Sequence, residues 1–156
     1  MAQLNRGRDS SARLHGTIML RPRTVRWSAY AIAVLVMGAA IVMAVLIPGF
    51  NLGNRLGFPL FGLLIAVFCH MEASVRAEAR PDVLIVRNLV RTHELQWAQV
   101  IGVSFPAGDP WAHLDLSDGR TLSVMALQRT DGARGLAQAR TLAQLIRERG
   151  EAHDGE

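Results

Sequence analysis

The sequence predicts an α+β protein: a two-helix transmembrane hairpin, then a small antiparallel β-sheet or partial barrel capped by a C-terminal amphipathic helix. Three observations predict it. The 19 residues Ala29–Ile47 carry no charge, and about 20 apolar residues of helix are needed to cross the hydrocarbon core. Residues 73–127 alternate apolar and polar side chains in short runs broken by turn signals, the pattern of half-buried strands. Residues 132–149 repeat apolar side chains at three- and four-residue spacing, the pattern of a helix with one buried stripe.

The N-terminal 20 residues, rich in Arg, Ser, Gly and Asn, read as a disordered basic tail. Residues 1–26 hold six Arg against Asp9, a net of +5, whereas residues 76–156 hold ten Arg against eleven Asp and Glu, a net of −1. The basic excess of the chain therefore lies in the tail. Nucleic acid is excluded as a partner of the globular part, which would need a basic face of its own. Arg beside an apolar span instead suits an anionic membrane surface. All 17 basic residues are Arg, a composition that fits a GC-rich bacterial genome. Cys69 is the only cysteine, so the chain has neither an intramolecular disulfide nor a CxxC pair.

The first transmembrane helix is placed at 27–47. Trp27 and Tyr30 suit the interface, and Pro48-Gly49 ends the run. A signal peptide is the alternative. The 26 residues ahead of the run, its length and the lack of an A-x-A site argue for a true span. The second helix is placed at 56–72. Its apolar stretch Leu56–Met71 is 16 residues, about 24 Å of helix, with Gly57, Pro59 and Gly62 in its first half. Pro59 is tolerable near a helix start. A re-entrant segment is the alternative, but the short, turn-like PGFNLGNR between the two runs favours a hairpin. Gly38, Gly57 and Gly62 would allow close packing but do not form GxxxG. Six Arg precede the first run, Arg76 and Arg80 follow the second, and Arg55 alone lies between. The positive-inside rule then places both termini in the cytoplasm of a multi-pass protein of the bacterial plasma membrane.

The rest of the chain divides into short elements. In ASVRAEA (73–79), Val75, Ala77 and Ala79 fall on one side. Pro81-Asp82 is a turn, VLIVR (83–87) a strand, and Asn88-Leu89-Val90 a second turn, with Asn88 suited to an unusual backbone angle. THELQW (92–97) and QVIGVSF (99–105) are strands, PAGDP (106–110) a loop, and WAHLDL (111–116) an alternating strand. Asp118-Gly119 suits a two-residue type I′ hairpin turn into RTLSVMAL (120–127). Asp131 can cap the final helix, whose stripe holds Leu136, Ala139, Leu142 or Ala143, and Leu145 or Ile146. Arg140, Arg147 and Arg149 suit its C-terminal dipole, and Gly150 should end it. Residues 151–156 read as a second disordered tail.

This order of elements resembles the pleckstrin-homology (PH) superfold. Its particular marks are VRN at 86–88, Trp97-x-x-Val100, the Pro110-Trp111 step and Leu116-x-x-Gly119 leading into Leu122–Ala126. Together with two spans they resemble small actinobacterial membrane proteins bearing a PH-like domain, here 73–150. The resemblance implies a fold and a membrane address, not an activity.

The five histidines lack metal-ligand spacing, and Cys69 and His70, being adjacent, point about 100° apart on a helix. His70 reads either as a residue at the cytoplasmic interface or as an intramembrane polar contact. No Ser-His-Asp order, phosphate loop or carboxylate pair is recognisable. The expectation is therefore a non-enzymatic protein with no catalytic residue, cofactor or metal. Trp97 suits the sheet core, with its N–H on a carbonyl. Trp111 suits either hairpin packing or a binding loop. Arg87, Arg91, Trp111 and Arg120 are the candidate binding rim, with Arg87/Arg91 and Arg120/Arg129 as phosphate-facing pairs. The expected role is protein interaction or self-assembly at the inner membrane face. The alternatives are an anionic-lipid sensor and an accessory subunit of a larger membrane complex. The expected partners are the bilayer and a protein, which a second copy of the chain would also satisfy.

Overall fold

The computed structural model describes residues 16–151. The disorder expected of residues 1–15 and 152–156 lies outside them. The described residues divide into two compact units, residues 23–74 and residues 16–22 with 75–151.

The first unit is the helical hairpin. Helix α1 spans Thr24–Leu46 and α2 spans Leu52–Ala73, and both are long and apolar enough to cross a membrane. Helix α2 starts four residues before the expected Leu56. Asn51 explains the difference: its side chain accepts a hydrogen bond from Asn54 N at 2.9 Å and caps the first turn. At 22 residues the helix is about 33 Å long, enough for the hydrocarbon core. Pro59 consequently lies inside the helix rather than at its start, where it removes one backbone bond. The helices meet through small residues. A Cβ on Gly62 would come within 3.3 Å of Ala40 Cβ and Met37 Sδ, and Cys69 is buried with Ala29 and Ala73. Gly53 and Gly57 do stand four residues apart on α2, a GxxxG spacing that the glycines singled out above lack.

Among the described residues the second unit holds seven strands and one α-helix. Strands β1 (Ile18–Leu20), β2 (Arg76–Ala79), β3 (Val83–Arg87) and β4 (Thr92–Gln96) form one antiparallel sheet in that order. Strands β5 (Val100–Ser104), β6 (Trp111–Leu116) and β7 (Thr121–Gln128) form the other. Neither sheet closes on itself. Helix α3 (Ala133–Glu151) packs against β5, β7 and the 3₁₀ turn Trp97–Gln99. The expected alternation holds: Ala77 and Ala79, Leu84 and Val86, and Ala112 and Leu114 are fully buried, as period-two strands facing one core require.

Four local readings change. Residues 18–20, assigned to the tail, form β1, with Ile18 opposite Ala79 and Leu20 opposite Ala77. Three residues are too few for a period to show, and only the fold supplies their partner. The hairpin at 118–119 has positive φ at Gly119 alone. Gly119 N donates to Leu116 O and Leu116 N to Arg120 O, a three-residue loop rather than a type I′ turn. Leu136 is 42% exposed. The stripe instead runs through Gly135, Ala139, Leu142 and Ile146, because Gly135 lies against the Gln128 carbonyl at the end of β7. Gly150 does not end α3, which continues to Glu151.

Candidate functional site

Arg87 ends β3 and Arg91 closes the turn after it, where Asn88 N donates to Arg91 O. Both side chains are exposed. Val90 at the tip of this turn is 79% exposed. Arg76 at the start of β2 stands opposite Arg87. Two exposed arginines and one bare aliphatic side chain therefore stand at one end of the first sheet, beside Arg76, whose guanidinium is held by Glu78. At that same end Leu20 leaves towards α1 and Arg76 begins the return from α2.

The other rim candidates lie elsewhere. Trp111 and Arg120 flank opposite ends of β6, and Arg120 and Arg129 flank opposite ends of the eight-residue β7, about 30 Å apart along a strand. The four candidates therefore do not converge. Arg120 is also engaged: its guanidinium binds the Asp118 carboxylate at 2.7 Å, which together with the Arg120 N–H holds that carboxyl below its ordinary range. Trp111 is half-buried. Arg129 holds the 106–110 loop, donating to the Pro106 and Asp109 carbonyls and covering the Phe105 ring at 4.8 Å.

Asn88 is not the positive-φ residue the turn suggested. Its carboxamide donates to Ser123 O at 2.7 Å and accepts from Met125 N at 3.1 Å. A carbonyl and the N–H two residues on are the pair that a neighbouring strand would bind. The side chain thus imitates a strand along the outer edge of β7 and joins the two sheets.

Two charged residues are buried for structural ends. Arg149, which the sequence singled out only as a partner of the helix dipole, is 4% exposed. Its guanidinium covers the Trp97 ring at 5.1 Å and donates to the carbonyls of Arg80 and Gly16. Trp97 Nε1 donates to the same Arg80 carbonyl at 3.1 Å, the partner expected for it. Burial lowers the Arg149 pKa from its usual value, while Glu148 and Asp82 act against that shift. Glu78 lies between Arg80 at 2.9 Å and Arg76 at 2.5 Å. Their hydrogen bonds, Arg80 first, hold its carboxyl below the ordinary value near 4.5.

One constellation escaped the sequence. Asp109 Oδ2 is 3.1 Å from His113 Nε2, and His113 Nδ1 is 3.3 Å from Ser123 Oγ. His113 and Ser123 are direct cross-strand partners, a pairing that follows from the three-residue loop 117–119 and not from the expected two-residue turn. Acyl transfer would also require free N–H donors aimed at an oxyanion. The Met125 N–H beside this line is committed to Asn88. The line acts as a staple of the 106–110 loop to β6 and β7. Among the described residues no group of three or more His, Cys, Asp or Glu could hold a metal.

In the helical unit, His70 Nδ1 lies 3.3 Å from Tyr30 Oη, with the ring centroids 6.3 Å apart. His70 is exposed at the last turn of α2.

Comparison with known proteins bears on the sheets and α3 together. Residues 74–145 match the family described as Bacterial PH domain. Three mycobacterial proteins are each 33% identical over 135 residues, covering 83% of this chain and 88% of theirs. The chain belongs to the bacterial PH domain family. The relatives are described as uncharacterized proteins of Mycobacterium bovis and of two strains of Mycobacterium tuberculosis. No solved structure matches. The matched span of this bacterial PH domain runs from the start of β2 into α3 and leaves out β1. In this chain the helical hairpin lies between β1 and β2, two strands that pair directly.

Proposed function

We propose that this bacterial PH domain protein is a non-enzymatic integral membrane protein. Both helices span the plasma membrane, both termini are cytoplasmic, and the PH domain serves protein interaction or self-assembly at the inner face. The carrying observation is this placement of the hairpin. The hairpin interrupts two directly paired strands, with only residues 21–23 and 74–75 linking it to them. A domain on two such tethers stays beside the bilayer, which raises its effective concentration towards membrane-bound partners. The Arg distribution supports the orientation. The docking element is β5, an outer strand of its sheet with Ile101 69% exposed. Asn88 occupies backbone groups of the other outer strand, β7. An added strand along β5 would use the commonest β-recognition mode.

A photo-crosslinking residue at position 101 of the full chain, in native membranes, tests this. The expected product is a discrete adduct to a protein partner or to a second copy. Adducts to lipid alone would overturn the reading.

A second reading rests on the basic turn. Arg87 and Arg91 with the exposed Val90 suit contact with anionic headgroups, the two guanidinium groups on phosphate and the valine in the interface. Lipid adducts from position 90, lost on Arg87→Gln/Arg91→Gln, are its expected result. Solvent-only labelling there would overturn it.

A further inference from the structure

At the start of α1, Arg23, Arg26, Trp27 and Tyr30 line one cavity of about 170 Å³. Positions i, i+3, i+4 and i+7 share one helix face, so the four side chains act together by geometry. The first turn of α1 holds no acidic residue. Glu72, near the end of α2, does not line the cavity. Arg26 Nε is shielded from solvent with no hydrogen-bond partner among the described residues, an arrangement that costs free energy until an acceptor arrives. Trp27 is 72% and Tyr30 41% exposed, although both are large and apolar in body. Such rings settle at headgroup level when a helix enters a bilayer.

We propose that this cavity binds the phosphodiester of an anionic phospholipid in the leaflet that adjoins the PH domain. Guanidinium forks match phosphate oxygens bidentately. The indole N–H of Trp27 is a further donor, and the positive end of the α1 dipole points the same way. An anionic lipid is favoured over a zwitterionic choline lipid because two guanidinium groups repel the quaternary ammonium. The site is separate from the Arg87/Arg91 turn and holds whichever ligand the PH domain takes. It rests only on the insertion of the hairpin into the bilayer.

The test uses the full chain in phosphatidylcholine nanodiscs titrated with phosphatidylglycerol, with bound lipid counted by native mass spectrometry after release. The wild type should retain phosphatidylglycerol selectively. R23Q/R26Q should weaken retention by about tenfold or more, the scale of losing charge-assisted hydrogen bonds. R23K/R26K, which keeps charge but loses the fork, should fall between. R55Q, at the far end of the hairpin, should match the wild type. Equal retention by R23Q/R26Q, equal retention of phosphatidylcholine, or displacement of the lipid by inorganic phosphate at matched concentration would each overturn the site. Release of the wild type from membranes by alkaline carbonate would overturn the membrane reading itself, and the site with it. Retention through carbonate with unselective lipid binding would overturn the site alone.

Discussion

Replacing Asn88 by Gly separates two physical accounts of the β3–β4 turn. If Asn88 were there to adopt positive φ, Gly would serve as well or better, because it carries no Cβ penalty. In the structure Asn88 does something else. Its carboxamide satisfies Ser123 O and Met125 N along the edge of β7. Glycine removes both bonds. A part-buried backbone group left without its partner costs about 1–3 kcal/mol. Two such groups, each with some access to water, cost together about 2–3 kcal/mol, and Gly adds about 0.5 kcal/mol of chain entropy. For a domain of this size each kcal/mol lowers Tm by about 4–8 °C, so a fall of roughly 10 °C or more is expected. The assay is thermal unfolding of the full chain in detergent, followed through Trp97 and Trp111 in the PH domain. Trp27→Phe in both chains removes the hairpin's own signal. Asn88→Ala should lose nearly as much as Asn88→Gly. An unchanged or raised Tm for Asn88→Gly would refute the bridge and restore the turn account.

Two further outcomes follow from buried contacts. Gly135→Ala should lower the stability of the PH domain by about 1–3 kcal/mol, the usual cost of overpacking. Its Cβ would overlap the Gln128 carbonyl oxygen, a backbone atom that cannot rotate away; an unchanged denaturant midpoint would refute the close approach. Glu78→Gln should flatten the acid limb of the stability profile. The Glu78 carboxyl is held below its ordinary value near 4.5 by Arg80 and Arg76, so its contribution is complete above that value and fades as pH falls through the depressed one. Wild type and Glu78→Gln should therefore differ most near neutral pH and converge in acid. Parallel profiles would show that the pair carries no such linkage.

The candidate site was legible only in part, for reasons visible in particular residues. Arg87 and Arg91 could be grouped from sequence because one short turn joins them. The separation of Trp111 from Arg120 was already implied by the strand expected at 111–116, which the structure has as β6. Arg149 has the sequence signature of any basic residue in a last helical turn, and its burial over Trp97 depends on where α3 docks. The Asp109–His113–Ser123 line was not readable, because the expected two-residue turn at 118–119 would set His113 opposite Val124. The three-residue loop shifts the register by one and sets His113 opposite Ser123 instead.

What the sequence determined by itself is whatever short-range periodicity and composition encode. That covers the two apolar helices, the period-two strands from 83 onward and the stripe-bearing final helix, because each repeats a burial demand along its own length. What only the tertiary structure decided is everything that needs a distant partner. Ile18–Leu20 become a strand because β2, more than fifty residues later, offers them an edge. That single pairing turns a hairpin that precedes the sheet into one that lies between two of its paired strands. The physical reason is that a three-residue strand carries too little pattern to announce itself. Its backbone donors and acceptors are satisfied only across the gap that the two membrane-length helices fill.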